Sequence, residues 1–218
     1  LPTKAAIRQT LERLSGRGDD SRMSHIKRAR PEDLVVFAFS GHGIVDKSDL
    51  YLVPYDGDAG AAERETLISA AEIATWLASV DAGQIVIIID ACRSGAAAGK
   101  AFRAGPLGDR GLGQLVFDKR MRMITATDQD SQAIGAGRFG HSLLTEALIV
   151  EGLDEGKAAT NEKAPLRDLF RYAVERVPQL FAERVPDAPV GGRAQRPVVF
   201  DFWRGADLIL PQTADVSP

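Results

Sequence analysis

Two uninterrupted apolar runs constrain the fold of this chain more than any other feature. Residues 34–39 read LVVFAF and residues 85–89 read IVIII, with no polar side chain in either run. β-Branched and aromatic residues favour strands, and a strand without apolar–polar alternation is typical of a sheet that is covered on both sides. We therefore expect residues 34–39 to form a strand buried on both faces and residues 85–89 to form a second central strand.

Helices and further strands are predicted to alternate around these two runs. The residues from Ser69 to Glu72 form a capping box, in which the side chains of both residues can cap the start of a helix. The predicted helices cover 2–14, 69–80, 142–150 and a segment that begins at 165, the further strands cover 50–53, 121–126 and 197–202, and the longer loops cover 15–31, 55–65, 96–113 and 152–164. This order predicts an α/β fold with a mostly parallel sheet and helices on both faces.

The composition excludes several classes of protein. The chain has 218 residues, 44% of them hydrophobic, and a formal net charge of −3, which suits one soluble domain and argues against nucleic acid as a partner. No apolar stretch approaches the length of about 18 residues needed to span a membrane. The single cysteine excludes an intrachain disulfide framework and is compatible with a cytoplasmic location.

Each of the two apolar runs leads into a short polar motif. The first is followed by SGHG at residues 40–43, and the second by DACRSG at residues 90–95. Because the carboxyl ends of parallel strands share one edge of a sheet, His42 and Cys92 are expected to meet there. An imidazole beside a thiol can take its proton and so produce the reactive thiolate. The pair is therefore a candidate nucleophile and base.

The two motifs together resemble those of the caspase and metacaspase clan of cysteine peptidases, and its bacterial caspase-like branch in particular. Cys92 lies 50 residues after His42, and a separation of about 50 is typical of caspase-type enzymes. The resemblance extends from about residue 34 to 152, and more weakly to 202. It implies a caspase-like three-layer α/β sandwich over residues 1–210, followed by a flexible tail over 211–218.

The resemblance also implies an activity and a set of site residues. The protein is expected to be a cysteine endopeptidase with a dyad of Cys92 and His42, in which the backbone N–H groups of Gly43 and Cys92 bind the oxyanion. Metacaspases carry an aspartate two residues before the cysteine, as Asp90 is here, and a carboxylate in the S1 pocket favours Arg or Lys at P1. Alternatively, Asp90 only caps the following turn.

Further expectations concern the rest of the pocket and the basic loop. Asp128 and Ser40 are additional candidates for lining S1. Lys100, Arg103 and Arg110 lie in a glycine-rich segment after Cys92, where we expect the enzyme to cut itself.

The same resemblance predicts partners besides a protein or peptide substrate. The fold of the family begins with one or two strands before the first helix of this chain, so a companion segment or chain is expected to complete the sheet beside residues 34–39. An exposed apolar strand edge would otherwise favour aggregation. A sensor or regulatory domain is a further expected partner, whereas a membrane is not.

No cofactor is expected to be required. One cysteine and three separated histidines do not form a zinc site. Calcium binding remains an alternative, because scattered carboxylates follow His42, although they lack the regular spacing of an EF-hand loop. These carboxylates belong to Asp46, Asp49, Asp56 and Asp58.

Two other functions are compatible with the same sequence pattern. One is a catalytically silent caspase-like domain that serves as a scaffold or dimerisation module. The other is a flavodoxin-like domain that binds a small molecule, although the chain lacks a glycine-rich phosphate loop after an early strand.

Overall fold

The computed structural model describes residues 1–18, 23–46, 49–60, 64–91, 112–127, 140–159, 163–184 and 194–210. The helices are α1 Lys4–Leu14, α2 Ala70–Ala78, α3 Leu112–Asp118, the short α4 Leu143–Thr145, a π-helical segment Glu146–Asp154 that continues α4, and α5 Leu166–Arg184. The strands are β1 Leu34–Gly41, β2 Gly43–Asp46, β3 Asp49–Leu52, β4 Ile68–Ser69, β5 Gln84–Ala91, β6 Arg122–Thr125, β7 Ala164–Pro165, β8 Val198–Asp201 and β9 Ile209–Leu210.

The main sheet is mostly parallel, which confirms the expected fold class. Its strands lie in the order β1-β5-β6-β8. β5 runs parallel to both β1 and β6, whereas β8 runs antiparallel to β6. The two apolar runs of the sequence are therefore neighbours in one sheet, and their carboxyl ends lie at the same edge.

Helices cover both faces of this sheet, again as expected. Consecutive residues of β5 point into two different core clusters, since Ile87 and Ile89 pack in one and Val86 packs in the other. The first cluster contains residues from α1, α2 and α3, and the second contains residues from α4, the π-helical segment and α5. Because side chains alternate along a strand, an all-apolar strand such as β5 requires a core on each side.

β1 differs from the prediction that residues 34–39 are buried on both faces. Val35 is buried, but Val36 is 52% exposed and Leu34 is 39% exposed. The prediction is wrong for one face because β1 lies at the edge of the described sheet, and no residue of β1 belongs to the second core cluster. The helices of that cluster cover β5 and β6 but not β1.

Several element boundaries also differ from the sequence-based prediction. Residues 43–46 form the unpredicted strand β2, which pairs with β3 in an antiparallel hairpin. The predicted loop over 96–113 is wrong at its end, because Leu112 and Gly113 are buried in the first turn of α3; residues 96–111 and the tail over 211–218 lie outside the described part.

Gly152 explains why the helix predicted over 142–150 continues further. A Cβ atom at this position would lie 2.6 Å from the Ala147 carbonyl oxygen and 2.5 Å from Cδ1 of Leu169. The glycine therefore permits close contact between the π-helical segment and α5 instead of ending the helix, which continues to Asp154.

Two helices with hydroxyl caps begin close to their predicted starts. Ser69 and Glu72 form the predicted capping box at α2. α1 begins at Lys4 rather than at residue 2, because the Thr3 hydroxyl accepts a hydrogen bond from the Ala6 N–H at 3.1 Å. Among the residues that the structure describes, no helix is both long enough and apolar enough to cross a bilayer.

Candidate active site

The carboxyl ends of β1 and β5 form the centre of the candidate site. The two strands pair in parallel register up to Ser40 opposite Asp90 and Gly41 opposite Ala91. His42 follows Gly41 directly in the chain, and Cys92 follows Ala91. Neighbouring strands lie about 4.8 Å apart. The described register therefore ends, on each strand, one position before the residue that the sequence predicts to react.

His42 links β1 to the β2–β3 hairpin. His42 is exposed, and its carbonyl oxygen accepts a hydrogen bond from the Val53 N–H at 3.0 Å. The next pair in the hairpin is Gly43 opposite Leu52. The hairpin therefore fixes the backbone on the carboxyl side of His42, while the sheet fixes the backbone before it.

The Gly43 N–H points away from β3. In an antiparallel pair, hydrogen-bonded positions alternate with non-hydrogen-bonded positions. The hydrogen bond from the Val53 N–H to the His42 carbonyl shows that His42 and Val53 form a hydrogen-bonded pair. The adjacent pair, Gly43 and Leu52, is therefore a non-hydrogen-bonded pair, in which the N–H groups point away from the partner strand. β3 therefore does not use the amide that the sequence nominates for the oxyanion hole.

Asp90 is buried near the end of β5 and is held by two hydroxyl groups. Its residue is 5% exposed. Oδ2 of Asp90 accepts hydrogen bonds from the hydroxyl groups of Ser142 and Thr145, the latter at 2.9 Å. Burial raises the pKa of the Asp90 carboxyl, and the bonds from Ser142 and Thr145 oppose that rise. Both partners belong to the start of α4 rather than to the turn after Asp90.

Ser142 and Thr145 were not identified as site residues from the sequence. Ser142 also caps α4, since its hydroxyl oxygen accepts from the Thr145 N–H at 3.0 Å. The only signal was a serine at the start of a predicted helix, and it gave no indication that Asp90 lies close. The two contacts join residues that are 52 and 55 positions apart in the chain.

Ser40 lies beside Asp90 on the same face of the sheet. The two are register partners on parallel strands, whose paired side chains project to one side. Ser40 is exposed whereas Asp90 is buried. The register thus brings together two of the three residues predicted to line S1.

The remaining predicted site residues lie outside the described part of the chain. They are Cys92, Asp128, Lys100, Arg103 and Arg110. Thr127, which immediately precedes Asp128, is buried at the carboxyl end of β6.

The carboxylates considered for calcium do not gather around one point in the described residues. Asp56 accepts a hydrogen bond from the backbone N–H of Lys4 at 2.9 Å, and Asp58 accepts one from the Gly60 N–H at 2.9 Å. Asp49 pairs in register with Asp46, whose side chain is outside the described part. In the described ranges, no group of three or more His, Cys, Asp or Glu side chains is arranged to hold a metal ion.

A cluster of polar side chains around Glu146 adjoins Ser142 and Thr145 in the sequence. Glu146 forms an ion pair with Arg184 and a hydrogen bond with His141. Burial would raise the pKa of Glu146, but the hydrogen bonds from Arg184 and His141 outweigh it and hold this pKa below its ordinary value. The cluster anchors the first turn of the π-helical segment to the end of α5.

Comparisons with known proteins agree with this architecture. The sequence model of the caspase domain, Peptidase C14, matches residues 2–201. The crystal structure of protein GSU0716 from Geobacter sulfurreducens is similar over 94% of this chain and 75% of that chain, with a TM-score of 0.54 and 13% sequence identity. At that identity the likeness concerns the fold alone. No curated protein matches the sequence.

Proposed function

This chain belongs to the caspase domain family, and on that premise we propose that it is a cysteine endopeptidase that cleaves after Arg or Lys. Family membership supports a cysteine peptidase in general. The dyad of Cys92 and His42 and the basic P1 specificity are the specific content of the proposal. We expect the activity to serve regulated proteolysis, including cleavage of the enzyme by itself.

The observation that carries the proposal is the register of β1 and β5. The last pair is Gly41 opposite Ala91. Since His42 and Cys92 directly follow these parallel strands in the sequence, the sheet favours an imidazole and a thiol at the same edge. A catalytically silent scaffold would not require this coincidence, which is why we prefer the enzyme.

The reaction follows from these two groups. The His42 imidazole takes the proton of the Cys92 thiol, and the thiolate attacks the carbonyl carbon of the scissile peptide bond. The imidazolium then protonates the leaving amine, which departs and leaves a thioester on Cys92. Water, deprotonated by His42, attacks the thioester and releases the new carboxylate product together with the free thiol.

The oxyanion of each tetrahedral intermediate requires hydrogen-bond donors. We assign this role to the backbone N–H groups of Gly43 and Cys92. The orientation of the Gly43 amide away from β3 supports its part in this assignment, since it leaves the donor available on the side of the sheet edge.

The proposed S1 pocket contains Asp90, Ser40 and Asp128. A buried carboxylate attracts a guanidinium or ammonium group strongly because little water screens the two charges. Asp90 is 5% exposed, and Ser40 is its register neighbour on the same face. Both features support a pocket that selects a basic side chain.

Fluorogenic peptides with Arg, Lys or Asp at P1 test the proposal. We expect cleavage after Arg and Lys, complete loss of cleavage in Cys92→Ala, and a loss of about 10²–10⁴-fold in His42→Ala. His25→Ala provides the matched control, because His25 is also exposed but lies before β1. Each assay is run with calcium and with a chelator.

The outcomes separate the parts of the proposal. Cleavage after Asp would retain the peptidase and overturn the assignment of Asp90. Activity only in the presence of calcium would support the carboxylates after His42 as calcium ligands. No cleavage by the wild type under either condition would favour the silent scaffold.

A further inference from the structure

Asp90 differs from the other buried acidic residues of the described chain in its partners. Glu146 is paired with Arg184, and Glu151 is paired with Arg176. Asp90 is equally buried, yet its described hydrogen-bond partners are the uncharged hydroxyls of Ser142 and Thr145. Within the described ranges, two of the buried carboxylates are therefore paired with arginine, and the third has neutral donors.

The nature of these donors determines what Asp90 can bind. A carboxylate paired with arginine has little remaining attraction for a second cation. Hydroxyl donors stabilise the ionised carboxylate but add no positive charge. Oδ2 of Asp90 receives both described hydroxyl bonds, so Oδ1 is the oxygen that we assign to the ligand. Such an arrangement suits an incoming guanidinium or ammonium group.

The Thr145 hydroxyl donates outside its own helix. Thr145 lies in the first turn of α4, whose N-cap is Ser142, so no helical carbonyl oxygen lies four residues before it. Thr10 and Thr75 donate to the carbonyl oxygen four residues earlier, at 2.8 and 2.9 Å. Thr145 instead donates to Asp90 at 2.9 Å. The helix cap does not require this bond, since the Ser142 hydroxyl already accepts the Thr145 N–H.

We propose that Ser142 and Thr145 are positioning residues that hold the Asp90 carboxylate ionised and oriented toward the basic P1 side chain of the substrate. We call the two side chains the hydroxyl clamp. This inference rests on the proposed function, because it assumes that Asp90 faces P1. Specificity for a basic P1 residue then depends on the start of α4, which lies more than 50 residues after Asp90 in the sequence.

The two titratable side chains next to the clamp in the chain have partners of their own. His141 and Glu146 flank Ser142 and Thr145 in the chain, and both belong to the cluster with Arg184. The clamp hydroxyls are therefore the groups that distinguish the surroundings of Asp90, and their removal is the appropriate test.

The central variant is Thr145→Val, which keeps the shape of the side chain and removes the donor. The assay compares kcat and KM for two peptides that differ only in arginine or its uncharged analogue citrulline at P1. We expect the preference for arginine to fall about tenfold, as for the loss of one hydrogen bond to a charged group. Thr145→Ser restores the hydroxyl and should restore the preference.

The matched control is Thr75→Val, because Thr75 is an exposed helical threonine whose hydroxyl binds only its own helix. It should leave the preference unchanged. The acidic limb of kcat/KM should move to higher pH in Thr145→Val, since loss of a donor to the carboxylate favours its protonated form. An equal loss of kcat/KM for both peptides, without a shift of the pH profile, would show that the clamp has only a structural role and would overturn the inference.

Two further measurements separate this inference from the proposed function. Asp90→Asn should abolish the preference for arginine; if it does so and Thr145→Val does not, the clamp fails and the proposed function stands. If the wild type cleaves no peptide, the ¹³C titration of the Asp90 carboxyl still decides. An unchanged pKa of Asp90 in Thr145→Val overturns the clamp, and a higher pKa that returns in Thr145→Ser supports it.

Discussion

Arg176 of α5 donates two hydrogen bonds to Glu151 of the π-helical segment, from Nε to Oε2 at 2.7 Å and from Nη2 to Oε1 at 3.0 Å. The Tyr172 hydroxyl also donates to Oε2 at 2.8 Å. These bonds lower the pKa of Glu151 to about 2, with the bond from Arg176 contributing most. The contact therefore joins two helices of the second core cluster in a manner that depends on the ionised carboxylate.

Stability should fall in acid because of this contact. The pKa of Glu151 is lower in the folded protein than its ordinary value of 4.5, so the unfolded chain binds the proton first as the pH falls. The contribution, on the order of 3 kcal/mol, is complete above about pH 5 and is lost by about pH 2. Denaturant unfolding across this range should show a smaller decline in Glu151→Gln. Glu175→Gln, at an exposed position of α5, should behave as the wild type, and an equal decline in all three proteins would contradict the prediction.

The buried Arg122 gives a second prediction about stability. Its side chain is 2% exposed and pairs with Asp201 and Asp207, with Nε 3.2 Å from Asp201 Oδ1. Arg122→Met should lower the free energy of unfolding by about 3–5 kcal/mol, because it removes the buried cation that pairs with two half-buried carboxylates. Arg167 pairs with the same Asp201 but is 56% exposed, so Arg167→Met should cost much less than Arg122→Met. Urea unfolding measures both, and similar losses would show that burial of the pair is not decisive.

The sequence predicted the central part of this fold because the signals there are local. An all-apolar run such as residues 85–89 requires a core on each side wherever it lies, and β5 has both. Burial of β1 depends instead on which neighbours the sheet provides, and an apolar run carries no information about them. The same limit applies to β8, whose strand is visible in the sequence while its antiparallel direction is set by distant packing.

The candidate site shows the same division. The parallel pairing of β1 and β5 was predictable, because chain order and strand ends are sufficient to place the ends of these two strands at one edge. The surroundings of Asp90 were not predictable, because its hydroxyl partners come from a helix more than 50 residues later. Gly152 was misleading for a related reason, since a glycine that usually ends a helix here serves close packing against Leu169.

The exposed face and edge of β1 predict self-association. Val36 is 52% exposed on this strand, and an apolar cleft of about 330 Å³ lies between α1 and β1. Without a companion strand to cover them, unpaired edges of this kind pair with other chains. Val36→Lys should therefore reduce concentration-dependent association in sedimentation velocity. Ile149→Lys replaces another exposed apolar residue, 42% exposed on the π-helical segment, and should not reduce it; equal effects would point to general hydrophobicity rather than the strand edge.

Self-cleavage is the final prediction, and it links the proposed specificity to the basic segment after the nucleophile. Lys100, Arg103 and Arg110 follow Cys92 within 18 residues, and each fits a pocket that selects a basic P1 side chain. Purified wild type should be cut after one or more of them, whereas Cys92→Ala should remain intact. Mass spectrometry of the fragments identifies the bond, and Lys100→Gln, Arg103→Gln and Arg110→Gln should each remove its own product.

A mixture of wild type and Cys92→Ala shows whether one molecule cuts another. Fragments of the variant indicate cleavage between molecules, and an intact variant indicates cleavage within one molecule. The same fragments in Cys92→Ala alone would assign the cleavage to another protease.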